Sequence, residues 1–261
     1  MSAGNERFND EAADWDKNPS VQESSRLAFA AISPLITSLS AQKKASATGV
    51  EDAGELHVLE VGCGTGLLTL RVAPLVASVV AIDPAEGMIE TLKRKIHAQA
   101  QAQVQVQAQA QIISNITPLC TLLTSPDDPL LPARHENNPN GPRRKFDLIL
   151  SHLVMHHVPD LPSFLATLYA CLAPGGHVAL SDFEDFGPGA RMFHPPNKMD
   201  GVERDGIGRV WMEEAMRRVG FADVRVEVRW KLRKSVDKWE GKEQGETMEF
   251  PFLLCEGVRK R

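Results

Sequence analysis

The chain has 261 residues, 43% of them hydrophobic and 24% charged, enough to bury one sizeable core. A net charge of -5 and a pI near 5.9 argue against a nucleic-acid partner, which usually leaves a clustered Lys/Arg footprint. No apolar run approaches the ~20 residues a bilayer span needs, and Met1-Ser2-Ala3-Gly4-Asn5-Glu6 lacks the basic start and apolar stretch of a secretory signal.

Residues 5–40 read as one or two helices. Pro19 and Ser20 punctuate them, and Leu27, Phe29, Ala30, Ile32, Leu35, Ile36 and Leu39 form an apolar stripe at roughly helical spacing. Residues 42–54 are small and polar and read as a loop. We therefore expect 1–54 to form a helical cap segment on a single domain, 55–261. A β-prone strand at 56–61 is broken at once by three alternating glycines, and 67–72 continues as a helix. A second strand, 78–82, ends at Asp83-Pro84, and a helix follows over 85–96.

Residues 98–111 are low-complexity Ala, Gln and Val. Their strict alternation would suit a half-buried strand, yet Ala and Gln favour helix, and a period of two gives a helix no apolar face. The stretch reads as a surface insertion that either extends the preceding helix or stays unstructured. A third strand is expected at 119–123 and a long surface loop at 125–145, which is rich in Pro, Asn and Asp. The fourth strand, 146–151, leads into a histidine-rich turn. A helix at 161–172 closes on Ala173-Pro174-Gly175-Gly176, and a fifth strand spans 177–181.

The segment 182–208 is irregular and rich in Gly and Pro. A helix at 209–219 stops at Gly220, and strands at 224–232 and 250–258 have no helix between them. Those two should be antiparallel neighbours, and the basic run along the first is a solvated strand face. Alternating strands and helices predict a doubly wound, mostly parallel α/β sheet with both faces covered. Cys63, Cys120, Cys171 and Cys255 are widely spaced and sit in apolar stretches, which points to reduced thiols, a cytoplasmic location and no structural zinc.

The chemistry concentrates in Glu60-Val61-Gly62-Cys63-Gly64-Thr65-Gly66. A strand emptying into a G-x-G-x-G turn lets backbone approach a ligand and points free N–H groups at something polar. A dinucleotide fingerprint needs a small residue three positions after the second glycine, and Leu67 stands there. Asp83 ends the next strand, where a carboxylate can accept both hydroxyl protons of a ribose. Together they read as a site for an adenosine-containing ligand.

These residues, with Gly87-Met88 and with Phe146-Asp147 leading to His156-His157, resemble the class I S-adenosylmethionine-dependent methyltransferases. The ubiquinone/menaquinone-biosynthesis (methyltransferase-11) type is the most similar. The resemblance implies a seven-stranded Rossmann-like sheet in a three-layer α/β/α arrangement with an antiparallel last strand. It also implies that S-adenosyl-L-methionine is bound and leaves as S-adenosyl-L-homocysteine. Gly62, Cys63, Gly64 and Gly66 would line the methionine part of that molecule, with Glu60 ordering the loop. Asp83, with Pro84, would hold the ribose, and Met88 would pack on the adenine. Asp127 or Asp128 would meet the adenine amino group. Ser151 and His152 would border the methionine end. Trp15 and Asp16 resemble an N-terminal segment that folds over the cofactor.

His152, His156 and His157 are the candidate catalytic residues, one of them as a general base for a hydroxyl or thiol acceptor. With His194 they also have the look of a metal cluster, but no clear acidic fourth ligand accompanies them and methyl transfer needs no metal, so none is expected. Phe183, Phe186 and Phe193 in 182–208 point to a small acceptor of apolar or aromatic character. Two other readings stay open: a nicotinamide-dependent oxidoreductase, and a non-catalytic S-adenosylmethionine-binding scaffold. The acceptor atom and the oligomeric state are not determined at this level.

Overall fold

A computed structural model describes residues 3–46, 54–106, 114–135, 137–236 and 246–261. Seven strands form one sheet: β1 (His57–Val61), β2 (Ser78–Asp83), β3 (Ile116–Cys120), β4 (Phe146–His152), β5 (Leu172–Phe183), β6 (Ala222–Ser235) and β7 (Thr247–Val258). Their order is β3-β2-β1-β4-β5-β7-β6. The pairs from β3 through β5 are parallel, and β7 runs antiparallel to both β5 and β6. The expected doubly wound sheet and its terminal hairpin are both present. Strand order reverses between β1 and β4, and ligands of such sheets sit outside the carboxyl ends at that point.

Strand alternation sends side chains to two cores. Along β1, Leu59 and Val61 join a cluster with Leu165, Leu168, Met212 and Met216, from α5 (Leu161–Cys171) and α6 (Arg209–Val219). Val58 joins Ile32, Ile36, Ile89 and Leu92 on the opposite face, under α2 (Pro19–Ser46) and α4 (Glu86–Val106). The same period of two places Glu60 on the second face. A short helix α3 (Thr69–Val72) follows the glycine turn, and α1 (Ala3–Glu11) precedes everything.

Three expectations are corrected. The N-terminal helix does not stop near 40: α2 runs 28 residues, to Ser46, with Pro34 inside it. Pro34 lies on the exposed face, and the Ser33 hydroxyl donates to the Ala30 carbonyl that a non-proline amide would have capped (3.4 Å). The third strand is Ile116–Cys120 rather than 119–123, because Pro118 sits on an edge strand paired only with β2, where its missing N–H costs no ladder bond. The fifth strand takes in Ala173 to Gly176 directly from α5. The low-complexity run continues α4 as far as Val106; its remainder, 107–111, lies outside the described residues. Four basic side chains of β6, Arg225, Arg229, Lys231 and Arg233, are exposed, and two of them find cross-strand acids: Arg229 with Glu256 (2.9 Å) and Lys231 with Glu249 (3.3 Å).

Candidate active site

A cavity of about 610 Å³ opens at the carboxyl ends of β1, β2 and β4, beside the point where strand order reverses. Its floor is the glycine turn. All three glycines have positive φ, +75° at Gly62, +53° at Gly64 and +81° at Gly66, a region that disfavours side chains. They serve different purposes. A Cβ on Gly62 would stand 2.1 Å from Val154 Cγ2, and one on Gly66 would stand 2.3 Å from Leu92 Cδ1. A Cβ on Gly64 would meet nothing within 4 Å and would enter the open cavity. Gly64 borders the open space of the cavity, and Gly66 is a packing residue outside its wall.

Asp83 secures this floor. Its Oδ2 accepts from the Gly64 amide and its Oδ1 from the Ala85 amide, both at 2.9 Å. Each carboxylate oxygen keeps capacity for a second donor, and Asp83 lies on the cavity wall. Burial raises its pKa, with the two amides pulling against it. Glu60 is also on the wall and 2% exposed, and its Oε2 has no hydrogen-bond partner. Burial is the main reason its carboxyl is pushed up to about 8; the nearby Thr69 hydroxyl opposes the shift and the Asp83 charge adds to it.

The roof comes from the N-terminus. Asp16 accepts a hydrogen bond from the Thr65 hydroxyl (2.5 Å) and pairs with Lys95, whose ammonium also donates to the Thr65 carbonyl (2.8 Å). The side chain of Asn9 accepts from the Gly87 amide (2.9 Å). Phe8 and Trp15 pack edge to face at 5.8 Å and both line the cavity. Thr65, Lys95 and Asn9 escaped the sequence reading, since their partners lie 30 to 79 residues away.

The other expected residues divide. Cys63, Pro84 and Met88 line the cavity. Ser151 does not: it is buried and donates to the Val61 carbonyl (2.9 Å), tying β4 to β1. Asp127 is exposed in the loop, outside the wall, and Asp128 closes a turn by accepting from the Leu130 amide (2.9 Å). Leu122 to Thr124, just after β3, line that side instead. The phenylalanines are corrected as well. Phe183 and Phe193 stack on each other at 4.1 Å within a buried cluster with Phe250 and Phe252, and Phe186 is exposed. None of the three reaches the cavity.

Among the histidines, His152 and His157 are on the wall and His156 is not. His152 is clamped between Ser24 (3.0 Å) and Ser181 (2.9 Å), using both ring nitrogens. His156 is 1% exposed; its Nδ1 lies 2.8 Å from Asp182, and its Nε2 has no partner. His157 Nδ1 faces the Gly201 carbonyl at 2.6 Å. Burial depresses all three, to about 4, about 3 and about 4 in chain order. They are neutral at pH 7 and poorly matched to general-base work there. His156, His157 and His194 each offer a ring atom within 4.8 Å of the others.

Residues 25–226 match the model of a methyltransferase domain. The chain belongs to the family of class I S-adenosylmethionine-dependent methyltransferases. Relatives of the chain include a ubiquinone biosynthesis O-methyltransferase from Bradyrhizobium sp. (strain ORS 278), 31% identical over 48% of the chain and 39% of that protein. A demethylmenaquinone methyltransferase from Symbiobacterium thermophilum is 30% identical over 46% of the chain and 39% of that protein. The methyltransferase thus spans about two-fifths of the length of these relatives. In structure it is similar to an S-adenosylmethionine-dependent methyltransferase from Thermotoga maritima, with TM-score 0.52, 18% identity, and 98% and 97% of the two chains covered. A second, from Mesorhizobium loti, has TM-score 0.50 at 19% identity, covering 88% and 98%.

The side chains present fit the family's cofactor. An open glycine cradle, a strand-end carboxylate with spare acceptor capacity and a buried carboxylate oxygen without a donor all converge on one cavity.

Proposed function

We propose that this protein transfers a methyl group from S-adenosylmethionine to an oxygen of a small, largely apolar aromatic molecule. The observation that carries the reading is the empty space over Gly64 between the carboxylates of Asp83 and Glu60. S-adenosylmethionine brings a methyl group already activated by its sulfonium charge. The chain's own part is to hold the acceptor in line and exclude water. Gly64 and Asp83 bind the adenosyl portion, Glu60 supplies a negative partner for a cationic ligand, and Met88 packs on the base. The helical segment 3–46 acts as a cap through Phe8 and Trp15. His152 is a fixed neutral wall group.

Phe8, Trp15 and Phe164, with Val154 and Val158, make much of the remaining wall apolar beside the polar Asp160, Ser163 and Glu203, which supports an aromatic acceptor carrying a polar group. The relatives named as O-methyltransferases support oxygen as the acceptor atom. Among the described residues no helix is long and apolar enough to cross a membrane, and we place the reaction in the cytoplasm on a diffusible acceptor. Thermal shift provides the first test. S-adenosylhomocysteine at about a hundredfold excess over Kd should stabilise the protein by about 2.7 kcal/mol, and NAD should not. Radiolabelled methyl transfer to a panel of phenols then reads the acceptor. Stabilisation by NAD alone would discard the proposal.

A further inference from the structure

Three histidines from two loops meet behind the cavity wall. His156 and His157 occupy the short 3-10 turn after β4, and His194 follows a second such turn, Ala190–Phe193. Their rings stand close, with centroids 3.9 Å apart for His156 and His157 and 4.9 Å for His156 and His194.

The hydrogen bonds of His156 and His157 show which of their ring nitrogens is already engaged. Asp182 accepts from the His156 backbone amide (3.1 Å) and the Phe183 amide (2.9 Å), so its carboxylate is fixed before the ring reaches it. Against that acceptor His156 carries its proton on Nδ1, which leaves Nε2 as a bare lone pair. That atom is buried and has no partner. A carbonyl accepts only, so His157 likewise donates Nδ1–H to Gly201 and keeps Nε2 unprotonated. Imidazoles whose far N–H is bound by a carboxylate or a backbone carbonyl are oriented as metal ligands usually are. An orphaned buried nitrogen otherwise loses its hydration with nothing in return.

We propose that His156, His157 and His194 form a binding site for one divalent transition-metal ion of the zinc type, with Asp182 and the Gly201 carbonyl behind the ligands. Zinc–nitrogen bonds of about 2.0–2.1 Å at tetrahedral angles put ligand nitrogens roughly 3.3 Å apart. One ring nitrogen from each histidine lies within 4.8 Å of the other two, so where those nitrogens are the ligands a closure of about an ångström and a half at most completes the site. Three neutral nitrogens suit zinc, nickel or copper rather than magnesium or calcium, which take oxygen ligands. Arg7, Arg204 and Lys234 stand around the trio and disfavour an ion held by charge alone. His157 belongs both to the trio and to the cavity wall, so the ion would border the acceptor space. The absent acidic fourth ligand that argued against a metal in the sequence is met in part by Asp182, which acts one bond further out.

The test uses the full chain, stripped with a chelator and titrated with Co²⁺ and then Zn²⁺. One Co²⁺ per chain should bind with the visible absorption of a tetrahedral site, and Zn²⁺ should displace it. His194→Ala and His157→Ala should weaken binding more than tenfold. Asp182→Asn should weaken it 10–100-fold, and His97→Ala, on the exposed side of α4, should bind like the parent. Far-ultraviolet circular dichroism reports whether each variant is folded. If Asp182→Asn fails to fold, the half-buried His194→Ala carries the comparison. Absence of stoichiometric Co²⁺ or Zn²⁺ in the parent, or parent-like affinity in folded His194→Ala, overturns the site. S-adenosylhomocysteine binding by the stripped protein is measured beside it. Its persistence without metal binding defeats this inference alone, and its loss alongside intact metal binding defeats the functional proposal alone.

Discussion

Gly64 and its two neighbouring glycines separate binding from packing within five residues. A methyl group on Gly64 meets open space, so Gly64→Ala adds only the strain of a positive φ, about 1–3 kcal/mol. It should fold and lose at least tenfold in affinity for S-adenosylhomocysteine by calorimetry. Gly66→Ala drives a Cβ into Leu92 and adds an overpacking cost of about 1–3 kcal/mol, so its melting temperature should fall further than that of Gly64→Ala. The reverse ranking would show that Gly64 is not the cradle. Glu60 gives a pH prediction. The unfolded chain releases this proton near 4.5 and the folded chain near 8. Its contribution to stability is therefore complete below 4.5 and lost as pH rises through 8. Glu60→Gln should gain in melting temperature relative to the parent as pH is raised across that window. Because a cationic ligand recruits the ionised carboxylate, S-adenosylmethionine should bind the parent more tightly as pH approaches 8, and bind Glu60→Gln with little pH dependence. A flat profile in the parent would remove Glu60 from the site.

At the scale of elements, one acidic side chain in the turn after α1 ties the N-terminal segment to the glycine turn and to α4. Asp16 bridges Thr65 on the glycine turn and Lys95 on α4, with both members of the ion pair partly exposed. Such a pair contributes about 1 kcal/mol or less to stability, so Asp16→Ala should barely change the melting temperature. It should loosen the roof, raising protease sensitivity around Trp15 and weakening S-adenosylhomocysteine binding severalfold; unchanged binding would make the segment a passive cover. Elements were largely legible in the sequence where pattern and neighbours agree. The apolar stripe Ile32, Ile36 and Leu39 announced α2, and the valines of β6 alternate as an edge strand must. The third strand was misplaced because a proline inside a strand is tolerated only on an edge, and edge position is a property of the whole sheet.

Across the whole molecule, the sheet has a structural end and a functional end. Phe146 opens β4 at the end away from the cavity and is fully buried. Phe146→Ala should cost about 3–5 kcal/mol in denaturant unfolding, while the folded fraction binds S-adenosylhomocysteine as the parent does. Coupled loss of binding would mean the two ends are not independent.

Local order along the chain was sufficient for the strand–glycine–helix turn, the carboxylate of Asp83 one strand later and the reversed final pair, because period, turn chemistry and spacing act over a few residues. Folding decided the rest. Gly62 and Gly66 pack against Val154 and Leu92, and Phe183 and Phe193 turn inward to each other. Asp182 meets His156 across 26 residues, and His194 joins them from a different loop. Such encounters are set by the shape of the packed sheet and its covering layers, which no short stretch of sequence contains.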